Sequence, residues 1–179
     1  MDHAIETELK VLVTREEFER LAQLYQPLDF QKQHNYYYVS DDISHYAFRI
    51  RVKGEETLFT LKTKVNGETD EYEKILTTPL EKDQDVLNTL AQFGQKPPFT
   101  IFGELITERA MVINEYAELC FDINHYNGIT DYEIEYEVKK EHDYKKAFRK
   151  ILEKADIIYK RNKKSKYKRC LETMEKKND

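Results

Sequence analysis

Glycine and proline are scarce in this sequence, five and four residues in 179. No Gly-rich loop that could cradle a phosphate is present, and there is no low-complexity segment or internal linker. There are two cysteines, Cys120 and Cys170, far apart and in no C-x-x-C pair. They provide neither a disulfide framework nor a zinc site. The five histidines are scattered without an H-x-x-x-H spacing, and no serine–histidine or cysteine–histidine arrangement suggests a covalent intermediate. No apolar run approaches the roughly 20 residues that span a bilayer. No basic-then-apolar signal segment opens the chain. These absences lead us to expect a reduced, cytoplasmic protein with no membrane partner.

What is present is charge and tyrosine. The chain is 35% charged, 40% hydrophobic and 12% aromatic, with 13 tyrosines and no tryptophan. That composition suits a folded domain, and the length suits one, spanning 1–179 with a core over about 4–170. The net charge is −5, unevenly spread. Residues 160–169 hold seven basic side chains and no acid. Such a segment, within a basic tail over 160–179, reads as solvated or as a weak polyanion contact. The remainder is correspondingly more acidic, which argues against nucleic acid as a partner.

Period-two alternation dominates the chain. In Ile5–Lys10 and on to Val13, Glu6, Glu8 and Lys10 share one face, while Leu9, Val11 and Val13 share the other. Thr14 and Glu17 form a capping box ahead of a helix predicted over about 15–25, which Pro27 ends. Strands are expected over 33–40, 47–53, 58–65 and 69–76. A turn is expected at Asp41, Asp42 and Ser44, and a hairpin at Asn66-Gly67. One or two short helices follow between about 80 and 93. Strands resume over 102–113, 117–124 and 132–139, with a turn at Asn127-Gly128. A last amphipathic helix is predicted over about 144–157.

The eight strands sort their charges by sign. Glu6/Glu8 and Glu133/Glu135/Glu137 line two strands with carboxylates; Arg49/Arg51/Lys53 and Lys62/Lys64 line two with cations; Arg109 stands alone on another. Nothing requires such sorting on a solvated open sheet. It is expected if the sheet closes with these faces inward, about eight strands enclosing one small ligand. We therefore predict an α+β fold, a closed eight-stranded antiparallel β-barrel with helices packed outside. Buried charge must be compensated. Arg and Lys suit phosphate oxygens, and paired carboxylates suit Mg²⁺ or Mn²⁺, so the interior describes a cage for a metal–polyphosphate complex.

The E-x-E-x-K stretch, the F-R-I-R and T-L-K-x-K strands, isolated Arg109, the Asp122 strand and the late E-I-E-Y-E strand occur in an order that resembles the CYTH family. These are the triphosphate tunnel metalloenzymes, which include class IV adenylate cyclases, thiamine triphosphatases and inorganic triphosphatases. The resemblance runs from Glu6 to about Lys168. It implies a tunnel that binds triphosphate with Mg²⁺ or Mn²⁺. It implies metal-site carboxylates at Glu6 and Glu8, a second acidic pair at Glu133 and Glu135, and supporting acids at Glu73 and Asp122, Asp122 counted with the metal set. Arg49, Arg51, Lys62, Lys64, Arg109 and Lys166 are the implied substrate cations. Lys10 and Glu73 are the catalytic candidates, Lys10 also touching substrate. Which of Lys62 and Lys64 faces inward, and which pair among Glu133, Glu135 and Glu137, stays open. The expected activity is metal-dependent hydrolysis of inorganic tripolyphosphate, in a monomer or homodimer. The alternatives are a class IV-type adenylate cyclase, a thiamine triphosphatase, or a non-catalytic organophosphate or polyphosphate binder.

Overall fold

The N-terminal stretch forms two strands where one was expected. In a computed structural model that describes residues 1–40, 47–162 and 164–177, β1 (Asp2–Glu6) and β2 (Glu8–Val13) are separated by Thr7 alone. β1 pairs with one partner strand and β2 with another, at opposite ends of the sheet. Thr7 leaves the ladder to make that switch, its carbonyl accepting from the Val138 N–H at 2.9 Å.

The other strands are β3 (Gln31–Val39), β4 (Phe48–Lys53), β5 (Glu56–Val65), β6 (Glu68–Ile75), β7 (Thr100–Ile113), β8 (Ala117–Tyr126) and β9 (Ile129–Val138). The sheet order is β1-β6-β5-β4-β3-β7-β8-β9-β2, antiparallel at every pairing. This corrects the expected closed eight-stranded barrel. Among the described residues the sheet has nine strands and curls as a half-barrel; no ladder joins its two edges, β1 and β2, which Thr7 links in the chain.

The two N-G hairpins form as expected. Asn66-Gly67 and Asn127-Gly128 hold φ of 50°, 81°, 48° and 78°, the all-positive pair that a two-residue turn matching the strand twist requires. The expected turn at Asp41, Asp42 and Ser44 lies outside the described residues.

Helices cover the outer face. α1 (Arg15–Gln23) starts at the anticipated capping box, with Glu17 N–H donating to Thr14 Oγ1 at 3.1 Å and Thr14 N–H to Glu17 Oε1 at 2.9 Å. A 3-10 turn at Leu80–Lys82 precedes α2 (Gln84–Gln92). α3 (Tyr144–Glu153) is shorter than expected. It stops because Asp156 turns left-handed at φ 54°, so that the Ile157 and Ala155 N–H groups cap Leu152 O. Phe18, Leu21, Phe148 and Leu152 of α1 and α3 pack on Val11, Phe121 and Ile134. Val86 and Leu90 of α2 pack on Phe48, Ile50, Phe59 and Leu61. Each such side chain, fully buried, contributes about 1.5–3 kcal/mol.

A further helix, α4 (Lys166–Lys177), was not expected. It lies on the inner side of the sheet. Cys170, with Tyr167 and Met174 beside it, packs against Tyr37, Leu105 and Tyr126. Gly103 allows the approach: a Cβ there would stand 3.2 Å from Cys170 Sγ and 3.5 Å from Met174 Sδ. The basic tail is therefore not simply solvated, because Arg169 and Cys170 of its helix are buried against the sheet. Among the described residues, no helix is long and apolar enough to cross a membrane.

Candidate functional site

Alternation puts the charged set on the concave face, because the opposite phase of each strand is spent on the helices. On β8 and β9, Asp122 and Glu133 are fully buried and Glu135 is nearly so, and their carboxylates approach within 4.8 Å of one another. Isolated carboxylates at that depth would be strongly disfavoured, and three cations, Arg109, Lys166 and Arg169, offset them. Arg109 on β7 forks onto Asp122, Nε to Oδ1 at 2.7 Å and Nη2 to Oδ2 at 2.6 Å, and reaches Glu135 Oε2 at 2.7 Å. The Lys166 ammonium, from the start of α4, contacts Asp122, Glu133 and Glu135 together. Burial alone would raise the Asp122 and Glu135 pKa values, but Arg109 and Lys166 outweigh it and hold both below the usual carboxylate range. Burial alone would lower the Lys166 pKa, and the three carboxylates outweigh that to raise it.

A second acidic group comes from the N-terminal strands. Glu6 Oε1 accepts from Lys62 Nζ at 2.6 Å, and Lys62 also reaches Glu71 at 3.4 Å. Glu8 Oε1 accepts from Lys10 Nζ at 3.0 Å, and Lys10 lies opposite Glu135 in the β2–β9 ladder. Burial pushes the Glu6 carboxyl up to about 7, with Glu8 and Glu71 adding to the rise against Lys62. Glu137, in the same phase and opposite Glu8, pairs with Lys139 at 2.8 Å, and the cluster with Asp122 is made by Glu133 and Glu135.

The cation side is different. Arg51 Nε donates to Asn35 Oδ1 at 2.7 Å, and Arg49 Nη2 to Thr60 Oγ1 at 3.0 Å. Thr60 in turn donates to Glu73 Oε1 at 3.1 Å. Among the described residues, neither arginine is in a salt bridge, and Arg49 Nε is buried with no acceptor. Burial, with Arg49 and Arg109 nearby, lowers the Arg51 pKa to about 9. Burial and Glu71 raise the Glu73 pKa.

The structure thus brings together Glu6, Glu8, Lys10, Lys62, Arg109, Asp122, Glu133, Glu135 and Lys166 in ion pairs, with Arg49, Arg51 and Glu73 beside them on β4 and β6. It leaves Lys64 outside this group: Lys64 is exposed near the end of β5, its ammonium on Thr69 Oγ1 at 2.6 Å. Arg109, Lys62 and Lys166, expected among the anion-binding cations, are committed to carboxylates here. Arg169 and Asp131 were missed. The Lys166/Arg169 spacing, i and i+3 on one helix face, was the available signal, hidden by the flanking exposed lysines.

The carboxylate oxygens of Glu6, Glu8, Asp122, Glu133 and Glu135 are the hard donors that Mg²⁺ or Mn²⁺ takes, and Glu6 and Glu8 each use only one oxygen on a lysine. The residues fit such an ion, with the Lys166 ammonium holding the place between the three buried carboxylates.

The CYTH domain family covers residues 4–171, and the chain belongs to it. It is 30% identical over 172 residues to the Bacillus subtilis protein named "Putative triphosphatase YjbK", covering 88% of this chain and 90% of that one. It is also similar to a Bacillus halodurans structure named as a "putative adenylate cyclase", with 32% identity, TM-score 0.83, and 94% and 98% of the two chains covered. The fold alone is shared with Hippeastrum HpAC1, at 22% identity and TM-score 0.75 over 90% and 93% of the chains; that protein is described as having a dominant triphosphatase activity.

Proposed function

We propose that this chain is a divalent-metal-dependent triphosphatase acting on short triphosphates, inorganic tripolyphosphate foremost. The observation that carries the reading is the pair Arg49 and Arg51, half-buried positive charge with no carboxylate partner among the described residues. Such charge is costly unless an anion completes it, and a guanidinium fork suits phosphate oxygens. The name of the Bacillus subtilis relative, a putative triphosphatase, supports the same reaction class, while that of the Bacillus halodurans structure keeps the cyclase as the alternative.

In this reading Arg49 and Arg51 hold the triphosphate, and Arg109, Lys62 and Lys166 supply further positive charge along it. Lys10 orients the phosphoryl group nearest Glu8 and Glu135. A divalent cation, when held by Glu6 and Glu8 with Asp122, Glu133 and Glu135, supplies Lewis acidity and lowers the pKa of bound water. Glu73, its pKa raised by burial and Glu71, accepts a proton from water, while the Thr60 hydroxyl bridges it to Arg49. Catalysis is positioning and electrostatic stabilisation, with in-line attack by water.

One panel tests this: purified protein with Mg²⁺ or Mn²⁺, offered tripolyphosphate, ATP and thiamine triphosphate. Release of phosphate from tripolyphosphate is the expected result. Cyclic AMP from ATP, or binding without turnover, would replace the hydrolase reading with a cyclase or a binding module.

A further inference from the structure

We propose that Arg169 is a positioning residue: it clamps α4 to the sheet so that the Lys166 ammonium stands among Asp122, Glu133 and Glu135. Arg169 is 6% exposed and spends its guanidinium in three directions. Nε donates to Asp131 Oδ2 at 3.0 Å, with Nη2 on Oδ1 at 3.4 Å. Nη1 donates to Glu133 Oε2 at 3.0 Å and to the Lys164 carbonyl at 2.9 Å. One side chain therefore ties two positions of β9 to the backbone that leads into α4.

The anchor is rigid. Asp131 also accepts from Tyr126 Oη at 2.6 Å and Asn124 Nδ2 at 2.9 Å, and Asn124 accepts from Thr107 Oγ1 at 2.7 Å. Tyr126 and Asn124 both lie on β8, and Asn124 is held in turn from β7, so Asp131 cannot turn away without breaking two bonds to the neighbouring strand. Glu133 is shared: one oxygen faces Lys166, while the other accepts from Arg169 and from Asn162 Nδ2 at 2.9 Å. Lys166 and Arg169 sit on one face of the helix, three residues apart. The ammonium is a flexible point charge on four methylenes and cannot fix its own helix; the planar fork of Arg169 can.

The clamp has a reporter beside it. Cys170 follows Arg169, is fully buried, and faces Gly103 and the Glu104 carbonyl. Its thiol becomes reachable when α4 lifts. Cys120, on β8 and equally buried, becomes reachable only when the sheet opens. Site-resolved alkylation of the two thiols therefore separates helix release from unfolding.

The test compares wild type, Arg169→Gln, Arg169→Lys, Asp131→Asn and Lys166→Ala, by iodoacetamide labelling resolved by mass spectrometry and by tripolyphosphate kinetics. We expect Arg169→Gln and Asp131→Asn to speed Cys170 labelling at least tenfold with Cys120 still protected. A misplacement of this kind lowers kcat by about 10- to 100-fold. Arg169→Lys should recover part of both, and Lys166→Ala should lose turnover with Cys170 still protected. Cys170 protection unchanged in Arg169→Gln and Asp131→Asn overturns the proposal, as does parallel exposure of both thiols. The kinetic arm rests on the triphosphatase reading; the labelling arm needs no substrate, so a wild type inactive on triphosphates would sink that reading and leave the clamp tested.

Discussion

Replacing Arg51 with methionine should stabilise the ligand-free fold and damage anion binding, a combination that ordinary core or surface residues do not give. Arg51 has one acceptor among the described residues, Asn35 Oδ1, and its pKa falls to about 9 through burial first and then Arg49 and Arg109. A depressed pKa on a cation means that the fold disfavours the charged form, so the penalty is in full force below about pH 9 and fades as pH rises from there towards the unfolded value. At about 1.36 kcal/mol per unit, the shift sets a ceiling of roughly 4–5 kcal/mol, which solvent screening at the open side of the sheet cuts to about 1–3 kcal/mol. For a chain of this size, that is a rise in Tm of roughly 2–10 °C. Losing a charge-assisted contact to phosphate costs about 1.5–3 kcal/mol, roughly 10- to 150-fold in affinity. Calorimetric melts of wild type and Arg51→Met at pH 7, with and without tripolyphosphate, read both quantities, and titration calorimetry checks the affinity. A lower ligand-free Tm together with an undiminished tripolyphosphate-induced rise would refute the reasoning, because Arg51 would then be a structural residue with its charge already met.

The carboxylates make complementary predictions. Glu6→Gln and Glu8→Gln should each weaken Mn²⁺ binding, seen as a smaller Mn²⁺-induced rise in Tm, while the metal-free fold survives. Unchanged metal dependence in both would remove them from the metal site. Since burial lifts Glu6 to about 7, a metal ion must displace its proton below that pH. Apparent Mn²⁺ affinity should therefore fall about tenfold per unit as pH drops from 7 to 5.5, with proton release measurable by calorimetry in buffers of different ionisation enthalpy. A flat profile there would contradict the Glu6 assignment. Gly103→Ala should loosen α4, costing about 1–3 kcal/mol by crowding Cys170, and should speed labelling of that thiol ahead of Cys120. Equal protection would mean that the neighbouring sulfur atoms simply move aside.

Most strands were legible because each alternates without interruption and hairpin chemistry marks their ends. In β4, Phe48, Ile50 and Val52 alternate with Arg49, Arg51 and Lys53, and both Asn-Gly turns fall where the ladder reverses. What was not legible had non-local causes. Nothing in I-E-T-E-L-K reveals that Thr7 leaves the ladder, because the break depends on two edges, β6 and β9, lying far apart in the chain. α4 was hidden for a related reason. A segment with seven cations in ten residues has the composition of a solvated tail, and only the carboxylates of β8 and β9 make burial of Lys166 and Arg169 tolerable. The site residues were named from charge sorting and family order. Which cations remain without a carboxylate could be told only from the pairings.

Those pairings divide the concave face into two electrostatic regimes. On the β7–β9 side, Arg109, Lys166 and Arg169 meet Asp122, Asp131, Glu133 and Glu135 at hydrogen-bonding distance, so the fold is nearly self-compensating there. On the β4 side, among the described residues, Arg49 and Arg51 have only neutral acceptors, Thr60 and Asn35. A polyanion gains most where positive charge is unmet, and a cation gains most where carboxylate oxygens outnumber their lysines, as at Glu6 and Glu8. A ligand carrying both, a metal-complexed triphosphate, would lie across the boundary between the two. Neither the unmet cations of β4 nor the excess carboxylate oxygens at Glu6 and Glu8 favour the empty fold, and each loses its penalty when its own component binds. Phosphate alone relieves only the β4 side and metal alone only the Glu6/Glu8 side. The melts proposed above should therefore show the two ligands stabilising the protein by more together than the sum of each separately, since each neutralises the field that opposes the other.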